Sequence, residues 1–191
     1  MPKHRDATIE GHILNAAYDL LARGGEHALT MRAVAKAAGT TTPTVYHRFK
    51  DKRDLAEVVR RRAVENLVAF IAPACSPEET CLRLLDFAVA NPNLYRLFTA
   101  DWAVRLGRND PKPSFDLIKK RLAERLGGSL DDHWDLAMAL GALVHGTATV
   151  LLAEGVDQAI VKRLRRVCGE GCEALIEHAA RDSRAPSRGG S

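Results

Sequence analysis

The chain has 191 residues, of which 46% are hydrophobic and 5% aromatic, and its formal net charge is +4. This length allows one large or two small domains, and a low aromatic content with plentiful Ala, Leu and Arg favours helices over sheet. No apolar run approaches the length of a membrane span and no secretory signal is visible, so we expect a cytoplasmic protein without a membrane partner.

Charge is divided unevenly along the chain. Residues 1–62 hold 12 Lys and Arg against 7 Asp and Glu, whereas the other 129 residues hold 16 against 17. A phosphate-binding surface requires such a basic excess, but a solvated basic face is also common on helical proteins. The distribution alone leaves both interpretations open.

The first helices are predicted from apolar spacing and from their caps. Residues 9–21 carry apolar side chains at helical spacing, and Gly24-Gly25 should end this first helix. Thr30 is a suitable N-cap for a second helix over 31–38.

A third helix should follow, capped by Thr41 or Thr42 and with Pro43 in its first turn. Asp51 is then expected to cap a fourth helix that reaches about Phe70.

Five further helices complete an all-α chain of about nine helices. Ser76 and Glu79 have capping-box spacing, Pro92 suits a helix start, Gly107 should end one helix, and Asp157 is a suitable cap. The expected ranges are 76–91, 92–106, 114–126, 131–155 and 157–180. The residues after 180 are rich in Gly, Ser and Arg, and we expect them to be disordered.

The stretch 29–55, LTMRAVAKAAGTTTPTVYHRFKDKRDL, has the spacing of a helix-turn-helix. Ala35 allows the two helices to cross closely, Gly39 tolerates a left-handed turn, and Val45 packs the second helix back. Short or planar hydrogen-bonding groups, which contact phosphates and base edges in a major groove, would be exposed on the second helix. They are Thr42, Thr44, Tyr46 and His47.

This segment resembles the DNA-binding domain of the TetR family of bacterial transcriptional regulators. The family's pattern is matched by Gly39, Thr41, Val45, Tyr46, Phe49, Lys52 and Leu55, while Thr40 stands where the family usually has an aliphatic residue. The resemblance implies a three-helix DNA-binding domain over 1–51 and a larger helical body over 52–180, with 52–70 as connector and 181–191 as the tail.

The DNA contacts implied by this resemblance lie in and around the motif. Base contacts are expected from Thr42, Pro43, Thr44 and His47, and phosphate contacts from Tyr46 and Lys52. Thr30 and Arg32 should reach the flanking backbone, and Thr40 and Thr41 supply hydroxyls near the groove. Packing between the third and first helices is the alternative for Tyr46. Val34, Val45 and Phe49 are assigned to the core of this domain.

The body carries a weaker resemblance. NPNLYRLF at 91–98 and ALVHGTATVLL at 142–152 are similar to one branch of the family's regulatory domains, although Val144 replaces a tryptophan and only His145 and Gly146 carry over. The family implies a pocket for a hydrophobic small-molecule effector. Candidate lining residues are Phe87, Tyr95, Phe98, Trp102, Trp134, Met138 and His145; for each, a place in the core is the alternative.

A homodimer is the last implication. The eighth helix is apolar almost all round from Leu136 to Leu152, with Gly141 and Gly146 inside it, so it must be buried on more than one side. In the family the last two helices, here about 132–154 and 157–180, pack against their symmetry mates; a thick monomer core is the alternative.

The expected function is a ligand-responsive repressor that binds a palindromic operator in double-stranded DNA. An activator, a co-repressor-dependent regulator of the same fold, or a nonspecific DNA binder are the alternatives. We find no catalytic motif, and seven scattered histidines do not suggest an enzyme.

The four cysteines should be free thiols in a reducing compartment. Cys168 and Cys172 lie four apart, and we expect small buried side chains rather than a metal or redox pair, with no metal and no cofactor beyond the effector.

Overall fold

The computed structural model describes residues 3–100, 112–153 and 155–182. Within these ranges the chain forms nine α-helices and no strand, which confirms the predicted all-α fold. The helices are α1 Lys3–Ala28, α2 Met31–Ala37, α3 Thr42–Arg48, α4 Lys52–Ile71, α5 Pro77–Ala90, α6 Pro92–Thr99, α7 Pro113–Leu126, α8 Trp134–Leu151 and α9 Gln158–Asp182, and a short 3₁₀ helix, Asp131–His133, precedes α8. The predicted helix end at Gly107, Trp102 and the tail 183–191 lie outside the described residues.

Side chains three residues apart cap the helices as the sequence predicts. The hydroxyl of Ser76 accepts a hydrogen bond from the N–H of Glu79 at 3.1 Å, and the Glu79 carboxylate accepts one from the N–H of Cys75 at 2.8 Å. The capping-box residues therefore open α5, although the Glu79 carboxylate bonds the N–H of Cys75, the residue before the Ser76 cap. At the start of α9, the Asp157 carboxylate accepts from the N–H of Ile160 at 2.8 Å.

Two predicted helix boundaries need correction. Gly25 leaves the helical region (φ 66°, ψ −164°) as expected, but helical turns continue beyond it to Ala28, so the glycine bends α1 instead of ending it. The eighth predicted helix is shorter than expected at both ends. It starts as a 3₁₀ turn, and it stops at Leu151 because the N–H of Ala153 turns back to the carbonyl of Val150.

The chain divides into two compact units, and the first has residues 3–66 and 91–100 as its described part. Its core is formed by α1 to α4 together with Leu94 of α6, which is 1% exposed and packs in the same cluster. Val34, Val45 and Phe49 are all buried in this cluster, which confirms their assignment to the core. The side chain of Asn93 donates to the carbonyl of Ala22 at 3.0 Å and so fastens α6 to α1 beside the bend.

The second unit has residues 67–90, 112–153 and 155–182 as its described part. In it α8 packs against α5, α7 and α9. Leu140, Val144 and Ala148 form the fully buried side of α8, and Cys172 and Ile176 are buried on α9. The functional domain boundaries expected at 51 and 180 stay predictions.

One helix among the described residues, Asp131–Leu151 with its 3₁₀ start, is long and apolar enough to cross a membrane by length and composition alone. Its mean hydropathy is 1.3, so the expectation that no apolar run approaches a span is wrong at this point. The apolar stretch is longer than its bulky residues suggest, because alanines, glycines and threonines lie between them. Core helices of soluble proteins have the same composition, but only 28% of this helix is buried within the chain.

Candidate nucleic-acid interface

The turn between α2 and α3 has the geometry that the motif predicts. Gly39 adopts φ 66°, the left-handed conformation that glycine accepts without strain. The N–H of Thr40 closes the turn by donating to the carbonyl of Ala35 at 2.9 Å. The hydroxyl of Thr30 caps α2 by accepting from the N–H of Ala33 at 3.1 Å.

Thr41, of the two candidates, caps α3. Its hydroxyl accepts a hydrogen bond from the N–H of Thr44 at 3.3 Å and lies 2.8 Å from the Thr44 hydroxyl. Pro43 occupies the first turn, where a missing N–H leaves no bond unmade. The Thr41 hydroxyl therefore stabilises the start of α3. This structural role is independent of any contact that Thr41 makes with DNA.

The two sides of α3 differ sharply. Val45 is fully buried, whereas the Tyr46 side chain is 54% exposed and Pro43 and His47 are also exposed. Thr42, Thr44 and Thr40 are half-buried. Packing of Tyr46 between α3 and α1, the alternative for this residue, does not fit its exposure.

Lys52 lies at the first position of α4, and its role is partly internal. Its ammonium donates to the carbonyl of Glu26 at 2.9 Å, while Asp51 caps the helix by accepting from the N–H of Asp54 at 2.9 Å. An ammonium has three donors, so one internal bond leaves capacity for a phosphate. The Lys52 side chain thus ties α4 to α1 as well as carrying charge.

Further cations surround the motif in the first unit. Arg32, already predicted, is exposed on α2, and so is Lys36 one turn later. Lys50 and Arg53 are exposed at the start of α4. Lys36, Lys50 and Arg53 were not predicted as DNA contacts from the sequence. Their position in the basic first third of the chain could have indicated them.

A helix-turn-helix that exposes one polar face of its second helix, on a basic unit attached to a second helical unit, defines a class of protein. This class is the DNA-binding transcriptional regulators.

Comparison with known proteins names the family. Residues 13–59 match the family model described as "Bacterial regulatory proteins, tetR family". The resemblance seen in the sequence is thereby confirmed for this segment: residues 13–59 form a DNA-binding domain of the TetR type. The particular branch suggested by His145 and Gly146 stays a prediction.

Solved structures with the same fold match most of the chain. A TetR-like transcriptional regulator from Rhodococcus sp. RHA1 is 19% identical with a TM-score of 0.57, over 89% of this chain and 94% of that one. A TetR transcriptional regulator from Legionella pneumophila is 21% identical with a TM-score of 0.57, over 84% and 95%. One from Haemophilus influenzae is 20% identical with a TM-score of 0.54, over 87% and 97%.

The predicted effector-contact residues are distributed between the two units. Tyr95 and Phe98 belong to the first unit, where their rings lie 6.2 Å apart. Tyr95 is buried, and this burial raises the pKa of its hydroxyl to about 12. Trp102 lies outside the described residues.

The other four predicted residues belong to the second unit. The buried Phe87 ring packs 5.9 Å from that of Phe70, and Trp134, 45% exposed, packs edge-on to Phe115 at 6.3 Å. Met138 is half-buried and His145 is exposed, both on α8. Their assignment to a pocket stays a prediction.

Cys168 and Cys172 are buried, as the sequence predicts. Cys81, Cys168 and Cys172 are buried and Cys75 is exposed. Hydrogen bonding to Cys172, followed by burial, raises the pKa of Cys168 well above its ordinary value. A hydrogen bond with Cys168 lowers the pKa of Cys172, but a bond with Cys81 and burial outweigh it and raise that pKa to about 12. In the part of the chain that the structure describes, no group of three or more His, Cys, Asp or Glu side chains could hold a metal ion.

Proposed function

We propose that this protein is a ligand-responsive repressor that acts in the cytoplasm and binds a palindromic operator as a homodimer. The observation that carries the DNA-binding part is the exposed face of α3. It presents Tyr46 and His47 outward on a unit whose core holds Val45 on the opposite side. A short helix anchored on one side and polar on the other can enter a major groove.

Contacts to DNA are divided by chemistry. Thr42, Pro43, Thr44 and His47 face the base edges, which hydroxyl and imidazole groups can read. Tyr46 and Lys52 meet phosphates, supported by Lys36, Lys50 and Arg53. The backbone contacts fix the register, whereas the α3 contacts determine the sequence.

The exposed face of α8 supports the dimer. On one side the helix presents exposed, mostly small side chains: Ala139, Ala142, His145, Gly146, Thr149 and Val150. Val150 is 52% exposed, and on α9 Ile160 and Val167 are 41% and 46% exposed. An apolar helix with only 28% of its length buried within one chain needs a further partner. A second copy presents the same two helices.

The glycines of α8 support the same conclusion. A Cβ placed on Gly141 or Gly146 would meet no atom of the described residues within 4 Å, apart from those of its chain neighbours and its own helix backbone. Each glycine inside a helix costs about 1 kcal/mol relative to alanine. Since packing within the chain does not require them, close approach of a partner helix explains their presence.

A dimer also determines the symmetry of the operator and the spacing of its half-sites. One helix-turn-helix reads only a few base pairs, and two must lie about one DNA turn apart, roughly 34–36 Å, to bind specifically. Two-fold symmetry of the protein then requires a palindrome. A small molecule releases DNA if it binds better to the body shape that holds the two domains at a different separation. The α4 helix, which links the DNA-binding domain to the body, is the connector.

Sedimentation tests this proposal on the purified full-length protein. The free protein should sediment as a dimer, and a short duplex carrying a palindrome should bind one or two dimers. A monomer that binds DNA one chain at a time would contradict the dimeric repressor.

A further inference from the structure

A cavity of about 160 Å³, open to solvent on the side of the exposed Val89, Ala90 and Arg165, lies within the second unit, between the end of α5, the end of α8 and the first two turns of α9. Its walls are apolar and comprise Leu85, Val89, Ala90, Leu151 and Val161. None of these residues belongs to the set expected to contact an effector, so the cavity is a separate candidate site.

An ion pair forms the polar part of this cavity. Arg165 donates from Nε to Oδ1 of Asp86 at 2.7 Å and from Nη2 to Oδ2 at 2.8 Å. The bond with Asp86 also raises the pKa of Arg165. A carboxylate with two oxygens retains lone pairs that can accept further hydrogen bonds.

From this geometry we propose that the cavity binds a neutral, single-ring apolar molecule that bears one hydroxyl group. An apolar cavity of about 150 Å³ accommodates benzene, so about 160 Å³ accommodates one ring and few additional atoms. The hydroxyl donates to a carboxylate oxygen of Asp86. The paired charges offer an ion no net attraction, and moving an ion from water to apolar walls costs desolvation energy, so the site favours a neutral ligand.

The position of the cavity suggests what binding would change. Val89 and Ala90 are the last residues of α5, and the chain enters α6 directly after them, at Pro92. A ligand that fits one arrangement of this helix end better than another would shift the population between the two. This inference rests on the proposed ligand-responsive function and names the chemistry of its effector.

Calorimetric titration of the full-length protein with three probes tests the proposal. Phenol should bind saturably at one site per chain, toluene about tenfold more weakly because it lacks the hydrogen bond, and benzoate not at all. Equal binding of phenol and benzoate, or no saturable binding of phenol, would overturn the proposal.

Variants locate the site. Val161→Phe fills the cavity and should weaken phenol binding at least tenfold, whereas Lys162→Phe adds the same ring at the exposed neighbouring position and should not. Ala90→Leu, at the rim, repeats the test if Val161→Phe does not fold. Asp86→Leu with Arg165→Met removes the acceptor and leaves no unpaired charge, so it should remove the preference for phenol over toluene. Phenol binding that survives Val161→Phe and Ala90→Leu unchanged would contradict the assigned cavity.

DNA binding is then measured separately, so the two proposals can fail independently. Phenol should weaken the binding of DNA by wild-type protein and leave it unchanged in the Val161→Phe variant. Saturable binding of phenol with no change in DNA affinity would overturn the cavity as an effector site while leaving the DNA-binding proposal intact.

Discussion

The ammonium of Lys52 lies 2.9 Å from the main-chain carbonyl oxygen of Glu26, so the first residue of α4 is bonded to the last turn of α1. The same ammonium is the proposed phosphate contact. Positioning and charge are therefore combined in one side chain, and its replacement should have two separable effects.

We predict that Lys52→Ala weakens binding to all DNA sequences and lowers the slope of log K against log salt by about 1, because one phosphate contact is lost. Loss of the bond to Glu26 should also lower the melting temperature. Fluorescence anisotropy over a salt series measures the slope. The control Lys120→Ala removes an exposed lysine of α7 and should change neither. Wild-type affinity of Lys52→Ala at physiological salt would show that Lys52 does not contact phosphate.

Thr44→Val should change which DNA sequences are preferred and lower the stability by about 1 kcal/mol, because it also removes the hydrogen bond between the Thr44 and Thr41 hydroxyls. The valine keeps the shape of the side chain but lacks the hydroxyl, and the cap from Thr41 is retained because it uses the main-chain N–H of residue 44. Loss of a base contact costs about 1–3 kcal/mol of discrimination at one position of each half-site. Selection of bound DNA measures the change. Thr99→Val, on α6, removes a hydroxyl that donates to the main-chain carbonyls of Tyr95 and Arg96, and it should select the wild-type sequence.

Gly146→Leu should weaken the dimer. Overpacking at a tight interface costs about 1–3 kcal/mol, which corresponds to roughly 5- to 150-fold in the dissociation constant. Sedimentation at several protein concentrations measures the dissociation constant of the dimer. Gly11→Leu is the matched control, because Gly11 is also a helical glycine at which an added Cβ would meet no described atom within 4 Å outside its neighbours and its own helix backbone. If the two variants dimerise equally well, α8 does not form the interface.

One thiol of the native protein should react rapidly with a disulfide reagent at pH 8, and four should react after denaturation. Cys75 is exposed, whereas Cys81, Cys168 and Cys172 are buried, and the pKa values of Cys168 and Cys172 are raised. In Cys75→Ser the rapid reaction should disappear. Rapid reaction of two or more native thiols would contradict their structural role.

The same thiols predict a dependence of stability on pH. Their pKa values are raised in the folded state above an ordinary value of 9.0, so the unfolded chain loses these protons first as the pH rises. This contribution to the free energy of unfolding is complete below about pH 9 and declines above it. Urea unfolding of the wild-type protein at a series of pH values measures the decline.

Local features of the fold could be predicted because their partners lie close in the chain. The caps formed by Thr30, Ser76 and Asp157 each join residues three apart, and the left-handed turn at Gly39 depends on one residue. Such features follow from residue type and spacing alone.

Contacts between distant residues could not be predicted in this way. Asn93 and Ala22 are 71 residues apart, and Arg165 and Asp86 are 79 apart, so packing decides whether they meet. The aromatic residues show the same limit. Tyr95 and Phe87 are eight residues apart in the sequence, yet they belong to different compact units. Helical periodicity identifies a buried face but does not indicate what covers it.

Selection of bound DNA from a random pool, with the purified full-length protein and with sizing of the complexes, tests the central claim most directly. We predict enrichment of one palindrome whose half-sites lie about one helical turn apart and which binds one or two dimers. Salt-sensitive binding without any enriched sequence would contradict a sequence-specific regulator and would indicate a nonspecific DNA binder.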